Sequence, residues 1–167
     1  MAPREKLALW DRQCLALAQA VFRHCPTGVP DAHWRTLSFD QMAGQPLQVL
    51  SEAYYNFRNY ANQNYALYPG NLTAAARKTV SDFIDAVNLS CTRAYFSTTG
   101  ARVGLGPCNM ATGDCVCIVY GAKVPYIMRI RLGGGSSTEF VGDTYVDGVM
   151  RGETLKKGVQ SEVFSIT

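Results

Sequence analysis

Apolar side chains at Leu7, Trp10, Cys14, Leu17 and Val21 recur at alternating intervals of three and four residues, while Arg12 and Gln19 fall opposite them. The spacing predicts an amphipathic helix over about residues 7–22, ended near His24 and Cys25 because Pro26, Gly28 and Pro30 cannot continue it. Residues 26–46 read as an ordered connection. Pro46 suits a first helical turn, and Leu47, Leu50, Tyr54, Phe57, Ala61 and Tyr65 repeat the helical spacing up to a stop at Pro69 and Gly70. Thr73 can cap a third helix, whose inner stripe is Ala76, Val80, Phe83, Ile84 and Val87.

Beyond about residue 92 glycine becomes frequent and the apolar period shortens toward two. Runs over 94–98, 116–120, 126–132 and 140–146 read as strands, and 161–166 could add one more. The stretches 121–125 and 133–137 fall between strand-like runs as hairpin loops, and Gly104-Leu105-Gly106-Pro107 reads as a turn. Helices first and antiparallel strands afterwards give an α+β fold, with N-terminal helices packed on a small antiparallel β-sheet or barrel. One domain over 1–167 is expected, helical over about 5–90 and β-rich over about 92–167, because residues 88–94 hold no Pro/Gly/Ser linker.

Charge narrows the partners. Sixteen Lys and Arg face 13 Asp and Glu, and the net +3 is spread over both halves. A nucleic-acid footprint would cluster its basic residues, whereas the only adjacent pairs are Arg77-Lys78 and Lys156-Lys157. No apolar run is long enough for a membrane span, and Glu5, Asp11 and Arg12 interrupt any signal-peptide core. A cytoplasmic chain is expected, with Cys14, Cys25, Cys91, Cys108, Cys115 and Cys117 as reduced thiols; the glycosylation triplets at Asn71 and Asn88 then carry no meaning.

Candidate chemistry is sparse. His24 and His33 are the only histidines, no Gly-x-Ser-x-Gly elbow is present, and both histidines read as ordinary surface or partly buried residues. Cys115 and Cys117 have the wrong gap for a zinc finger and would share one strand face as small hydrophobes. Neither glycine-rich stretch carries a P-loop lysine. Asp143 and Asp147 could form an acid/base pair with Glu153 nearby, but Gly142-Asp143 and Asp147-Gly148 read better as turn or bulge dipeptides. Among the helical aromatics, Tyr54, Phe57 and Tyr65 follow the core stripe and leave Tyr55, Arg58 and Tyr68 for a protein-binding patch. No catalytic, cofactor-binding or metal-binding residue is expected.

Four segments stand in one order: Gly100-Ala101-Arg102-Val103-Gly104-Leu105-Gly106-Pro107, then Gly113-Asp114-Cys115-Val116-Cys117-Ile118-Val119-Tyr120-Gly121, then Val124-Pro125-Tyr126-Ile127-Met128-Arg129, then residues 141–153 from Val141 through Tyr145 and Met150 to Glu153. Together they closely resemble the C-terminal block of fungal heterokaryon-incompatibility (HET) proteins. Met128 stands where that block usually has leucine, Asp147 where it has histidine and Arg151 where it has an acidic residue. The shared glycines 104, 106, 113, 121, 142, 148 and 152 read as a fold signature for turns and close backbone approach, with Val116, Ile118, Tyr126 and Met128 pointing inward. Asp114, Arg129, Tyr145 and Glu153 are the shared residues that could also bind a partner; Arg129 and Glu153 are expected to pair as a structural ion pair or else to line a pocket.

The resemblance implies a module of fungal non-self recognition and programmed cell death that acts through protein–protein contact, without the N-terminal HET domain of that family. A protein partner is implied, the HET domain itself being one candidate, with no cofactor, nucleic acid or membrane. The alternatives are a small hydrolase or nucleotide-processing enzyme using Asp114, Asp143, Asp147 or Glu153, and a secreted fungal effector with paired cysteines.

Overall fold

A computed structural model describes residues 3–25, 28–39, 45–62, 73–131 and 137–155, with Ser161 and Val163. Four helices precede six strands among the described residues, an α+β arrangement. The chain divides into two compact units, Met1–Thr92 and Arg93–Thr167, at the point where the hydrophobic period changes.

The helical unit contains α1 (Pro3–Val21), α2 (Asp31–Leu37), α3 (Leu47–Ala61) and α4 (Ala74–Ser90). Thr73 caps α4 as its sequence suggests, its hydroxyl oxygen accepting from Ala76 N at 3.2 Å. The core is largely aromatic: Trp34, Tyr54, Phe57 and Phe83 are fully buried, and the Tyr54, Phe57 and Phe83 rings lie within 6.3 Å of one another, centroid to centroid. Two details depart from the periodicity. The connection over 26–46 contains α2, which supplies Trp34 and Leu37 to the core and is anchored when the Ser90 hydroxyl donates to Leu37 O. The inner face of α1 is Leu7, Ala8, Asp11, Cys14, Leu15 and Ala18, with Trp10, Leu17 and Val21 only half-buried. The helix is rotated from the purely apolar stripe because Asp11 has partners inside. Predicted features at Tyr65, Pro69 and Gly70, in the loop at 133–136 and across most of the 161–166 strand lie outside the described residues.

The β-rich unit holds two antiparallel three-stranded sheets, ordered β1-β2-β6 and β3-β4-β5. Their strands are β1 (Ala94–Ser97), β2 (Val103–Gly106), β3 (Cys115–Cys117), β4 (Tyr126–Arg131), β5 (Ser137–Asp143) and β6 (Tyr145–Val146). They do not close into a barrel among the described residues. The run over 140–146, one strand by its pattern, serves both sheets, bending at Thr144. That residue is buried, its backbone N–H donates to Pro125 O at 3.0 Å and its hydroxyl to Leu105 O at 2.9 Å, so one residue ties the corner to both layers.

The stretch 104–107 is not the turn its glycines suggested: β2 is the central strand of its sheet and all four of its residues are buried. Glycine is required at 104 by close approach, since a Cβ there would stand 2.4 Å from Tyr145 O and 2.7 Å from the Phe96 ring. At 142 a Cβ would meet Pro107 Cγ at 2.6 Å. Opposite Gly142 the register slips: Ile127 pairs with Gly142 but Met128 with Phe140, leaving Val141 as an extra residue. Ile127 and Met128, which point to opposite faces of β4, are both buried. Ile118, expected inward, is exposed because β3 stops at Cys117.

Candidate functional site

The Gly113-Asp114 dipeptide makes a tight turn, with Asp114 N donating to Ala111 O at 3.1 Å and Ala111 N returning a bond to Asp114 Oδ2 at 2.7 Å. Asp114 thereby enters β3 with its carboxylate facing the neighbouring strand β4. There Arg129 grips it with two bonds, Nε to Oδ1 at 2.8 Å and Nη2 to Oδ2 at 2.9 Å. Arg129 Nη2 also donates to Asn109 O at 2.9 Å, and Nη1 lies 3.9 Å from Glu139 Oε1 on β5. Glu139 in turn accepts from Arg131 at 2.7 Å. Two cations and two anions alternate across β3, β4 and β5, so the ladder is neutral.

The expected pairing of Arg129 with Glu153 is therefore corrected: the nearer carboxylate on the adjoining strand takes the arginine. Glu153 stays local, accepting from Arg151 N at 2.7 Å. Both carboxyls are held below their ordinary values, Asp114 chiefly by the Arg129 guanidinium and Glu153 chiefly by its own and the Arg151 backbone N–H. Each is an anion at neutral pH with its oxygens engaged, unlike a general acid kept protonated. Asp143 lies 3.3 Å from Arg93.

Tyr145 is buried within β6 and opposes Leu105, where it takes part in the packing. In the helical unit Tyr55 is exposed, whereas Arg58 lies half-buried with Nε 3.5 Å from Asp11 Oδ2 and its guanidinium 6.0 Å over the Tyr54 ring. Tyr68 lies outside the described residues. Of the helical residues read as a patch, Tyr55 is thus exposed, while Arg58 lies against Asp11.

Two features escaped the pattern. The first is the buried cluster around Asp11, whose Oδ1 lies 3.2 Å from both His33 Nε2 and the Tyr54 hydroxyl. The cue is a carboxylate on the apolar side of α1 together with a histidine inside an apolar run, Ala32-His33-Trp34. The second is Arg102, whose Nη1 donates to Asp147 O at 3.1 Å and Gly148 O at 2.8 Å and holds the turn after β6. No pattern in the sequence singles it out.

Between the outer strands of the two sheets runs an open groove of about 1020 Å³. Its walls come from β1 and the turn after it, from residues 110–116 and Ile118, and from Ile127, Val146, Val149 and Thr154. It is mainly apolar, with Asp114 and Arg102 at its border already committed to the contacts above, and its size and lining suit an apolar occupant.

The Het-6 beta-barrel domain family matches residues 71–166 of the chain. Heterokaryon incompatibility protein 6, OR allele, of Neurospora crassa is 37% identical over 75 residues, which are 44% of this chain and 11% of that protein. No solved structure matches the chain.

Proposed function

Because the chain belongs to the Het-6 beta-barrel domain family, we infer that it is a recognition or regulatory module of fungal heterokaryon incompatibility, working through contact with another protein and not through catalysis. The similarity to the Neurospora protein supports the setting of non-self recognition and cell death, and the protein partner is inferred from that setting. The chain spans about a tenth of that relative's length, so the death response itself is assigned to the larger assembly.

The observation that carries the non-catalytic part is the state of the carboxylates. Asp114 and Glu153 have lowered pKa values and engaged oxygens, which suits fixed loop geometry better than proton transfer. The polar groups best placed for chemistry act as clamps on turns, and the surfaces left for a partner are Tyr55 on α3 and the groove of the β-rich unit.

The test is co-expression of the tagged chain with a HET domain, followed by purification and cross-linking. A stoichiometric complex with cross-links to either surface is expected. Failure to associate, together with hydrolysis of ester or nucleotide substrates that is lost in Asp114→Asn, would replace this reading with the enzymatic one.

A further inference from the structure

Cys115 and Cys117 stand two residues apart on β3, and the strand's period of two puts both thiols on the face opposite Val116. Both are half-buried and neither is in a disulfide. The spacing disfavours a bond between them. Cα atoms two residues apart on a strand stand about 6.6 Å from each other, and parallel side chains keep their Cβ atoms well beyond the roughly 3.8 Å that an S–S bond needs. A bridging ion is less demanding, since two metal–sulfur bonds of about 2.3 Å each span roughly 4.6 Å between sulfurs, a gap that two such side chains close by leaning together. The Cys117 thiol is pushed up first by burial and then by Cys115, and the second cause acts only between thiols close in space.

A third sulfur shares this face. Strand register sets Met128 of β4 directly opposite Cys115, and opposed residues of an antiparallel pair point the same way with Cβ atoms about 5 Å apart. Met128 is 1% exposed. Tyr126 stands opposite Cys117, and its ring lies 5.2 Å from that of Phe140, the residue that pairs with Met128 from the β5 side. The face thus offers two thiols and a thioether among aromatic rings. Nitrogen and oxygen ligands are lacking: no group of three His, Cys, Asp or Glu suited to a metal occurs among the described residues, and both oxygens of the adjacent Asp114 are engaged by Arg129. Zinc fills four positions from nitrogen and sulfur, and calcium or magnesium requires oxygen. Thiolate and thioether donors select Cu(I).

We propose that Cys115, Cys117 and Met128 form a binding site for a soft monovalent ion, Cu(I), with two thiolates and one thioether as ligands. Loading exchanges two thiol protons for one ion with no change of oxidation state, so the site passes from neutral to a single negative charge. The ion ties β3, a three-residue strand at the edge of its sheet, to the central strand β4. This goes beyond recognition through protein contact and does not depend on it.

The test is anaerobic titration of the full chain with Cu(I) supplied as its bicinchoninate complex, read by loss of the complex's colour. The parent for the series carries Cys91→Ser and Cys108→Ser, which remove the two exposed thiols, and it should take up a single equivalent. Adding Cys115→Ser or Cys117→Ser should weaken uptake by about hundredfold or more, and Met128→Leu, the residue usual at this place in the similar fungal block, by about tenfold. Affinity should fall about hundredfold for each unit of pH, because two protons compete with the ion. Circular dichroism checks the fold of each variant, with alanine in place of serine wherever a spectrum departs from the parent's. Uptake that survives both serine variants would assign the ion to other thiols and overturn the proposal. So would undiminished affinity in Met128→Leu, a pH dependence of one proton, or no competition with bicinchoninate at all.

Discussion

Asp11 is 2% exposed, yet its two carboxylate oxygens face His33, Tyr54 and Arg58. A buried carboxylate is tolerated only when its hydrogen-bonding capacity is met, and removing it leaves its partners stranded in an apolar core. Asp11→Ala should cost about 3 kcal/mol of stability in urea unfolding; a loss no larger than that of an exposed Asp→Ala control would show that water reaches the cluster. Asp114 makes a different prediction because its effect depends on pH. Its folded pKa lies below the ordinary 3.8, so the pair with Arg129 contributes in full above that value and is lost as pH falls through the lowered folded value. The stability gap between wild type and Asp114→Asn should be constant near neutrality and shrink below about pH 4. A gap that persists into strong acid would mean the ion pair is not its source. Neither partner set was legible in the sequence: a carboxylate on the apolar side of α1 signals a buried contact but does not name its partners, and Arg129 had several carboxylates to choose from until strand register decided.

At the scale of elements, the long helices and most strands could be read directly, since amphipathic spacing is imposed by the core each one covers. β2 could not. Its Val103-Gly104-Leu105-Gly106 pattern has turn composition, and only the approach of Phe96 and the Tyr145 backbone from either side makes glycine a strand residue there. Gly104→Ala should therefore disrupt the β2–β6 pairing and cost about 3 kcal/mol, at the upper end for overpacking, as measured by chemical denaturation. At Gly100 the nearest atom to an added Cβ is the Thr98 hydroxyl at 3.7 Å, and Ala should be tolerated within about 0.5 kcal/mol. Similar losses at both positions would refute the close-approach account. The slip at Ile127/Met128 was likewise hidden, because alternation alone cannot announce an extra residue on the facing strand.

For the whole molecule, none of the six cysteines is in a disulfide. Cys91 and Cys108 are exposed, whereas Cys14 is buried and its thiol is pushed up by burial and by Asp11. Iodoacetamide should label Cys91 and Cys108 in the native protein and reach Cys14 only after unfolding; comparable early labelling of Cys14 would contradict the packing of α1. The bend at Thr144 carries a kinetic meaning as well. Leu105 waits for a partner 39 residues later, whereas β3, β4 and β5 meet their neighbours in sequence order. On a ribosome adding about 5 to 20 residues per second, the nascent β1–β2 hairpin stands for roughly 2 to 8 seconds with one flank of β2 unfilled. The meander of β3 to β5 is synthesised in that interval and leads directly into β6, so the first hairpin to be synthesised belongs to the sheet whose last strand is made last.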